Sequence, residues 1–357
     1  MSRRAAVVGT SFGARIHVPA LRQAGFDVVA LVGVDAGKTA RRAERVGVAH
    51  ACTSLSDALA LDLCAVSIAG PPATHAPLAS EAIAAGCHVL CEKPFTLNAP
   101  EAERLVQEGA AAGVVTVVGH EFRWALGQAT MAWALERGLV GTPRLFVSAS
   151  FNSMLRSFRM PDWWFDPSRG GGWLNASGSH RIDALRQWFG DVAAVSAGLP
   201  DVSEPPLGVD DSFTIRCVMH NGVDVSLVQS SAAAGPGASM TRLVGTTGTL
   251  WAEGDTVRLA DDDEPKGRVL EPPAELALPD VDALAAGSLA DMTLMELPPY
   301  IRLAQAFLQA IEGHAPLPGP QPATFEDGLA CMRVLEAVRQ SAAAQGRWIS
   351  VEEGGAP

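Results

Sequence analysis

The chain is 357 residues long, 48% hydrophobic and 18% charged, a composition that buries ample core, suits two domains and argues against a largely disordered chain. A formal net charge of -12 without a basic stripe argues against a nucleic-acid partner, and no apolar stretch reaches membrane-span length. Six scattered cysteines with no CxxC pair form neither a disulfide framework nor a zinc site, and the apolar run after Arg3-Arg4 is too short for a signal peptide, so the expectation is a cytoplasmic protein with no resident metal.

Ala5-Ala6-Val7-Val8 is the first strand candidate. It runs into Gly9-Thr10-Ser11-Phe12-Gly13-Ala14 and a helix through Leu21. That order presents backbone N–H groups and a helix N-terminus to a pyrophosphate. The dinucleotide fingerprint wants Gly at its first and third positions and Gly or Ala at its sixth; Gly9 and Ala14 fit, and Ser11 departs. The next strand, 28–32, ends in Gly33-Val34-Asp35. Asp35 stands about 20 positions on, where an acid takes the ribose hydroxyls of NAD. Lys38, Arg41 and Arg42 follow it; they either meet the 2′-phosphate of NADP or form the solvated face of a helix over 38–46. The cofactor reading is NAD(P), leaning to NADP.

The strand 63–68 ends in Ala69-Gly70-Pro71-Pro72-Ala73-Thr74-His75, where Thr74 can cap a helix over 75–85. His75 is then either close to the nicotinamide or on the helix surface. In Gly86-Cys87-His88-Val89-Leu90-Cys91-Glu92-Lys93-Pro94-Phe95, the apolar run marks a parallel strand covered on both faces. Pro94 stops it, which leaves Lys93 at a strand's carboxyl end, facing the ligand crevice of an open α/β sheet. The competing reading of Glu92 and Lys93 is a surface ion pair. A helix over 99–112, a strand over 114–118 and Gly119-His120-Glu121-Phe122-Arg123-Trp124 follow. The β-α-β-α-β succession reads as a doubly wound nucleotide-binding domain over 1–122.

A second domain, 123–357, opens with a helix near 127–138 and a strand near 144–150. Pro161 to Arg169 is aromatic and turn-rich. Gly170-Gly171-Gly172-Trp173-Leu174-Asn175-Ala176-Ser177-Gly178-Ser179-His180-Arg181-Ile182-Asp183 then opens a helix to about 189, with His180 facing a cleft or buried.

The blocks Gly9 to Leu21, Pro71 to His75, Ala82 to Phe95 with Glu92-Lys93-Pro94, Phe122-Arg123, and Gly170 to Asp183 make the chain similar to the glucose–fructose oxidoreductase / inositol dehydrogenase (Gfo/Idh/MocA) family, over nearly its whole length. The resemblance implies an α/β protein: an N-terminal Rossmann doubly wound parallel sheet plus a C-terminal α+β domain with an open, mostly antiparallel sheet. It implies NAD(P)-dependent hydride transfer at a secondary alcohol or ketone of a sugar, cyclitol or related polyol. Cofactor contacts are expected from Gly9, Thr10, Ser11, Phe12, Gly13, Gly33, Val34, Asp35, Lys38, Gly70, Pro71, His75, Glu92 and Lys93. Lys93, beside the reacting carbon, and His180 are the acid/base pair, with Arg123, Trp163, Trp164, Arg169 and Asn175 around the substrate. A free lysine titrates near 10.4, so acid/base work near neutrality asks for a pKa about 2–3 units lower. Many members carry an Asp four residues before this His; here Ala176 occupies that place. Two alternatives follow: a non-catalytic nucleotide sensor, or an NAD-dependent glycosidase working by oxidation and elimination.

Strands are expected at about 193–198, 212–219, 223–231, 239–245, 248–253 and 256–260, with hairpin turns at His220-Asn221-Gly222 and Thr246-Thr247-Gly248. One face of that sheet would expose apolar side chains, which predicts a homodimer or homotetramer. A solvated, Pro- and acid-rich excursion from Asp261 to about 297 and helices near 299–312 and 324–343 complete the chain.

Overall fold

A computed structural model describes residues 3–281 and 290–351. The chain divides into two compact units, Met1–Ala125 with Ala277–Leu329, and Leu126–Leu276 with Ala330–Pro357. The sequence reading placed everything beyond 122 in the second domain; the structure groups 277–329 with the first. The reason is the helix Ala290–Ile311, whose Leu297, Tyr300, Ile301, Leu303, Ala304 and Phe307 are buried in the first unit's core. That helix begins well before the expected 299 and runs through Pro298 and Pro299. Each proline deprives the carbonyl four residues back of its donor, and those carbonyls belong to the exposed Leu294 and Met295, where water can serve them.

In the first unit, β1 (Arg4–Val8), β2 (Asp27–Val32), β3 (His50–Cys52), β4 (Ala65–Ile68), β5 (His88–Cys91) and β6 (Thr116–Val118) pair in parallel in the order 6-5-4-1-2-3. The two-residue strand Ala323–Thr324 adds an antiparallel edge on β6. All four residues of β4 and the last four of β1 are buried, as strands covered on both faces must be. Helices α1 (Val18–Ala24), α2 (Ala36–Arg45), α3 (Leu55–Leu59), α4 (His75–Ala84) and α5 (Ala99–Ala112) connect them. Asn98 caps α5 by accepting from the Glu101 N–H at 2.9 Å. Thr74 does not cap α4: its hydroxyl donates back to the Pro71 carbonyl at 2.7 Å. The strand order reverses between β1 and β4, and the crevice outside the carboxyl ends there is the ligand position of such sheets.

The second unit contains α6 (Leu126–Glu136), β7 (Pro143–Phe151), α7 (Met154–Ser157), α8 (Ser179–Phe189), β8 (Val192–Gly198), β9 (Ser212–Met219), β10 (Asp224–Ser230), β11 (Ala238–Gly245), β12 (Gly248–Glu253), β13 (Thr256–Asp261) and β14 (Arg268–Val269). Its sheet runs 14-13-12-11-7-10-9-8 and ends on the strand Ile349–Ser350; the β7–β10 pair is parallel and the rest are antiparallel. Alternation along β7 sends Phe146 to a buried face, where it meets Trp188 and Phe189 of α8 at 5.5 and 5.7 Å. Leu145 and Phe151 point to the other face and are exposed, with Val228 of β10 and Met240 of β11, both level with Ala149. The excursion after β13 holds β14 and a short turn at Ala274–Leu276, and residues 282–289 lie outside the described ones. Among the described residues no helix is long and apolar enough to cross a membrane, and no cluster of three or more His, Cys, Asp or Glu could hold a metal.

Candidate active site

Four strand ends of the first unit carry the blocks singled out from sequence: Gly9 to Ala14 after β1, Gly33 to Lys38 after β2, Gly70 to His75 after β4, and Glu92-Lys93 after β5. Gly9 has a φ of 119°, and a side chain there would run into the Ala69 carbonyl. Only glycine fits such a place. The close helix–strand approach belongs to Gly13, where a Cβ would lie 2.8 Å from Val7. Gly13–His17 makes a π-helical turn that continues into α1. Ser11 stands exposed at the tip, with Phe12 partly buried behind it. A backbone turn followed by a helix start is a fitting seat for a pyrophosphate.

At the end of β2, Gly33 makes room for Thr10 and Thr39, which a side chain would strike. Val34 is 99% exposed. Asp35 is the N-cap of α2, one oxygen accepting the Lys38 N–H at 2.7 Å. The Arg42 guanidinium donates to the Thr10 carbonyl, which anchors a cation beside the glycine turn. His75 is neither on a surface nor an open ligand group. It is fully buried, its Nδ1 and Nε2 each 3.0 Å from the Pro94 and Gly70 carbonyls. Burial pushes its pKa down against the pull of those carbonyls. It clamps the loop after β4 to the turn after β5.

Lys93 is partly buried, in a turn with a cis Lys93–Pro94 bond. Glu92 beside it is 6% exposed. Its Oε1 accepts the Tyr300 hydroxyl at 2.6 Å and lies 3.3 Å from His17 Nε2; its Oε2 accepts the Lys93 N–H at 3.2 Å. His17 Nδ1 in turn meets Ser67 Oγ of β4 at 2.6 Å. Burial alone would push the Glu92 carboxyl up, but His17, Lys93 and Tyr300 outweigh it and hold Glu92 below the usual range. A buried carboxylate with these partners is an ionised anchor. Glu121, after β6, is 2% exposed, and burial and then the Glu92 charge push it well above the usual range. Glu296 is also raised, by burial first, against Arg15 at 3.2 Å. Sequence reasoning passed over His17, Ser67, Glu121, Glu296 and Tyr300. His17 and Tyr300 look like core positions in their helices, and nothing local pairs residue 92 with residue 300.

Arg123, read as a substrate group, is buried and engaged: it donates to the Gln321 carbonyl at 3.1 Å and pairs with Asp327 at 3.4 Å. In the second unit, Asn175 is likewise engaged. Its amide donates to the Gly170 and Gly171 carbonyls at 3.1 and 3.3 Å, and its oxygen accepts from Arg339 at 2.5 Å. Asp210 takes the Leu174 N–H at 2.5 Å and fills the space beside Gly172, whose φ is 103°. Burial pushes the Asp210 carboxyl up, and Leu174 and Arg339 oppose it. A π-helical turn, Leu174–Gly178, then leads into α8 with His180, 8% exposed, in its first turn. Trp163, Trp164 and Trp173 follow one another at 5.9 and 6.4 Å between ring centres, and Arg169 is exposed. Ala176 carries no acid where the resemblance asks for one, and the neighbouring Ser177 donates to Gln229 at 2.6 Å.

Residues 3–120 match the profile described as oxidoreductase family, NAD-binding Rossmann fold, and residues 128–251 match the GFO/IDH/MocA C-terminal domain. An uncharacterised oxidoreductase of Synechocystis sp. is 30% identical over 267 residues, 71% of this chain and 72% of that protein. The D-apiose dehydrogenase of Paraburkholderia graminis is 29% identical over 232 residues, 64% of this chain and 60% of its own length. Among solved structures, a levoglucosan dehydrogenase in complex with NADH and levoglucosan matches with a TM-score of 0.83 at 22% identity, covering 99% of this chain and 100% of that one, a likeness of fold. With its Rossmann domain, its sugar-enzyme relatives and its motif blocks in order, the chain belongs to the Gfo/Idh/MocA family of oxidoreductases.

Proposed function

We propose that the protein is an NAD(P)-dependent dehydrogenase or reductase acting on a secondary alcohol or ketone of a sugar, cyclitol or related polyol. One observation carries this reading. Lys93 stands at the carboxyl end of β5, in a turn fixed by a buried, ionised Glu92, on the same sheet edge as the glycine turn. When bound, the nicotinamide supplies a two-electron hydride acceptor or donor. Lys93 moves the matching proton to or from the substrate oxygen, and His180 holds that oxygen and shares the proton. Trp163, Trp164 and Arg169 are the substrate-wall residues, an aromatic face suiting a sugar ring. The names of the apiose and levoglucosan enzymes favour a small sugar or anhydrosugar as substrate.

The cofactor leans to NADP, because Asp35 is occupied as a helix cap while Arg42, held at the Thr10 carbonyl, and Lys38 stand by the β2 end. The exposed Leu145, Phe151, Val228 and Met240 support a homodimer or homotetramer formed through the open sheet face, and a cytoplasmic location agrees with the free state of all six cysteines.

Lys93→Met should abolish hydride transfer across a panel of aldoses, anhydrosugars and cyclitols, while the thermal shift given by NAD(P)H stays intact. Near-normal turnover in that variant would sink the assignment. Ala176 favours a second reading, a nucleotide sensor without catalysis. Nucleotide binding with no hydride exchange on any sugar would support it, whereas glycoside cleavage without net cofactor change would mark an oxidation–elimination glycosidase.

A further inference from the structure

We propose that the arginine-lined cavity between α1 and α2, on the outer side of the glycine turn, is a second anion site that takes an organic phosphate with two or more phosphoryl groups, in addition to the dinucleotide.

The cavity has a volume of about 720 Å³, within the range of small-molecule sites. One wall carries Arg15, from the π-helical turn, and Arg22 of α1; the other carries Arg42 and Arg45 of α2. Arg42 and Arg45 are three residues apart and so share a helix face. Thr10 and Ser11 close the cavity on the side of the turn. Four of its eleven lining residues are arginines and none is Asp or Glu, in a chain with 39 acidic residues against 27 Lys and Arg.

Two of these arginines are fixed by bonds that run from one wall to the other. Arg22 donates to the Val46 and Gly47 carbonyls at the end of α2, at 2.5 and 2.7 Å. Arg42 donates from α2 to the Thr10 carbonyl in the turn. These partners are neutral, so both charges persist. Arg15 is the exception, neutralised by Glu296 at 3.2 Å. Among the described residues no carboxylate pairs with Arg22, Arg42 or Arg45, whereas Arg104, Arg123, Arg186 and Arg216 each meet one within 3.4 Å. Like charges gathered around one space repel each other, and an anion in that space reverses the sign of the interaction. A guanidinium has five N–H donors, so Arg22 and Arg42 keep donors for phosphate oxygens, which the planar fork matches.

The seat of the dinucleotide does not account for this cavity. Thr10 and Ser11, with Arg42 beside them, are what the two share; Gly9, Gly33, Asp35, Lys38 and Gly70 do not line it. A lone phosphate would leave most of the space empty. Val18 and Val46 add an apolar surface on which the carbon skeleton of an ester can pack. Three uncompensated cations beside an apolar wall fit a nucleoside polyphosphate or a sugar bisphosphate.

Isothermal titration calorimetry tests the assignment. Pyrophosphate, ATP and a hexose bisphosphate are each added to the chain already saturated with whichever dinucleotide gives the larger thermal shift. At least one of the three should bind with the dinucleotide in place, and added salt should weaken it. Tighter binding of ATP identifies the nucleoside polyphosphate, and tighter binding of the bisphosphate identifies the sugar ester. Arg45→Glu reverses an exposed charge on the far side of the cavity from the turn. It should weaken that binding about tenfold or more, the scale of one lost charge-assisted hydrogen bond, and leave the thermal shift with the dinucleotide unchanged. Arg45→Gln should act in the same direction and to a smaller extent, and serves if the reversal disturbs folding. Absence of heat from all three ligands, or equal affinity in the parent and both variants, would overturn the proposal. So would binding that disappears once the dinucleotide saturates, because the cavity would then be an extension of the dinucleotide seat. Failure of the dehydrogenase reading shows separately, as turnover retained in Lys93→Met, and leaves these binding measurements in force.

Discussion

Two helices of this chain begin alike and are used differently. α1 and α8 each leave a glycine-bearing turn, make one π-helical turn and then continue as an α-helix. The turn before α1 keeps its tip open, with Ser11 exposed and Thr10 and Phe12 only partly covered. The turn before α8 is buried from Gly170 through Asn175, and Asn175, Asp210 and Arg339 tie its polar groups from inside. The first leaves its tip open to solvent; the second has its polar groups tied by side chains of its own unit. A glycine run ahead of a helix is therefore not by itself a nucleotide site. What separates the two is whether side chains of the same protein already occupy the turn.

The largest effect should come from Gly9→Ala. Its added methyl meets the Ala69 carbonyl at a φ that L-residues avoid, a loss of about 3 kcal/mol. Melting should fall and the thermal shift with NAD(P)H should vanish; a surviving shift would break the comparison at its first half. Asn175→Ala should cost about 2–3 kcal/mol by stranding the Arg339 guanidinium and two glycine carbonyls, while nucleotide binding stays intact. Loss of that binding would break the second half.

Tyr300→Phe removes a donor from a buried carboxylate and should cost about 1.5–3 kcal/mol in urea denaturation at neutral pH. The sign of its pH dependence follows from Glu92. That carboxyl is held low in the fold, so its contribution to stability is present above the unfolded value near 4.3 and is lost as pH falls through the folded value. The variant should therefore differ less from the parent at pH 3 than at pH 7. The smallest effect belongs to Asp35→Ala, about 1 kcal/mol for a lost helix cap. Titration with the two nucleotides sharpens the cofactor reading, since NADP binding should hold and only a fall in NAD affinity would show Asp35 serving a ribose.

Most strands of both sheets were legible because their signals are local: the apolar run at Val89 to Cys91, the alternation from Ser212 to Met219, the hairpin at Asn221-Gly222. The helix at 290 was not, because Pro298-Pro299 reads as a helix start, and only burial of the residues around them shows that the helix continues through. The candidate site was legible in its glycine turn and in the place of Lys93 at a strand's carboxyl end, which neighbours in sequence mark. It was not legible in Tyr300, the one tyrosine of the chain, whose partner lies 208 positions away. The partners of Arg123 and Asn175 were hidden for the same reason, since Asp327 and Arg339, the groups that engage them, come from the last part of the chain.

That distant pairing bears on the order in which the protein can be made. The first unit contains β1 near residue 4, yet the hydroxyl that steadies Glu92 and the edge strand on β6 come from residues 300 and 323–324. Until those residues emerge, a nascent chain carries Glu92 and the β6 edge with one flank open to water. Competence to bind a nucleotide tightly should therefore appear only once residue 324 has emerged.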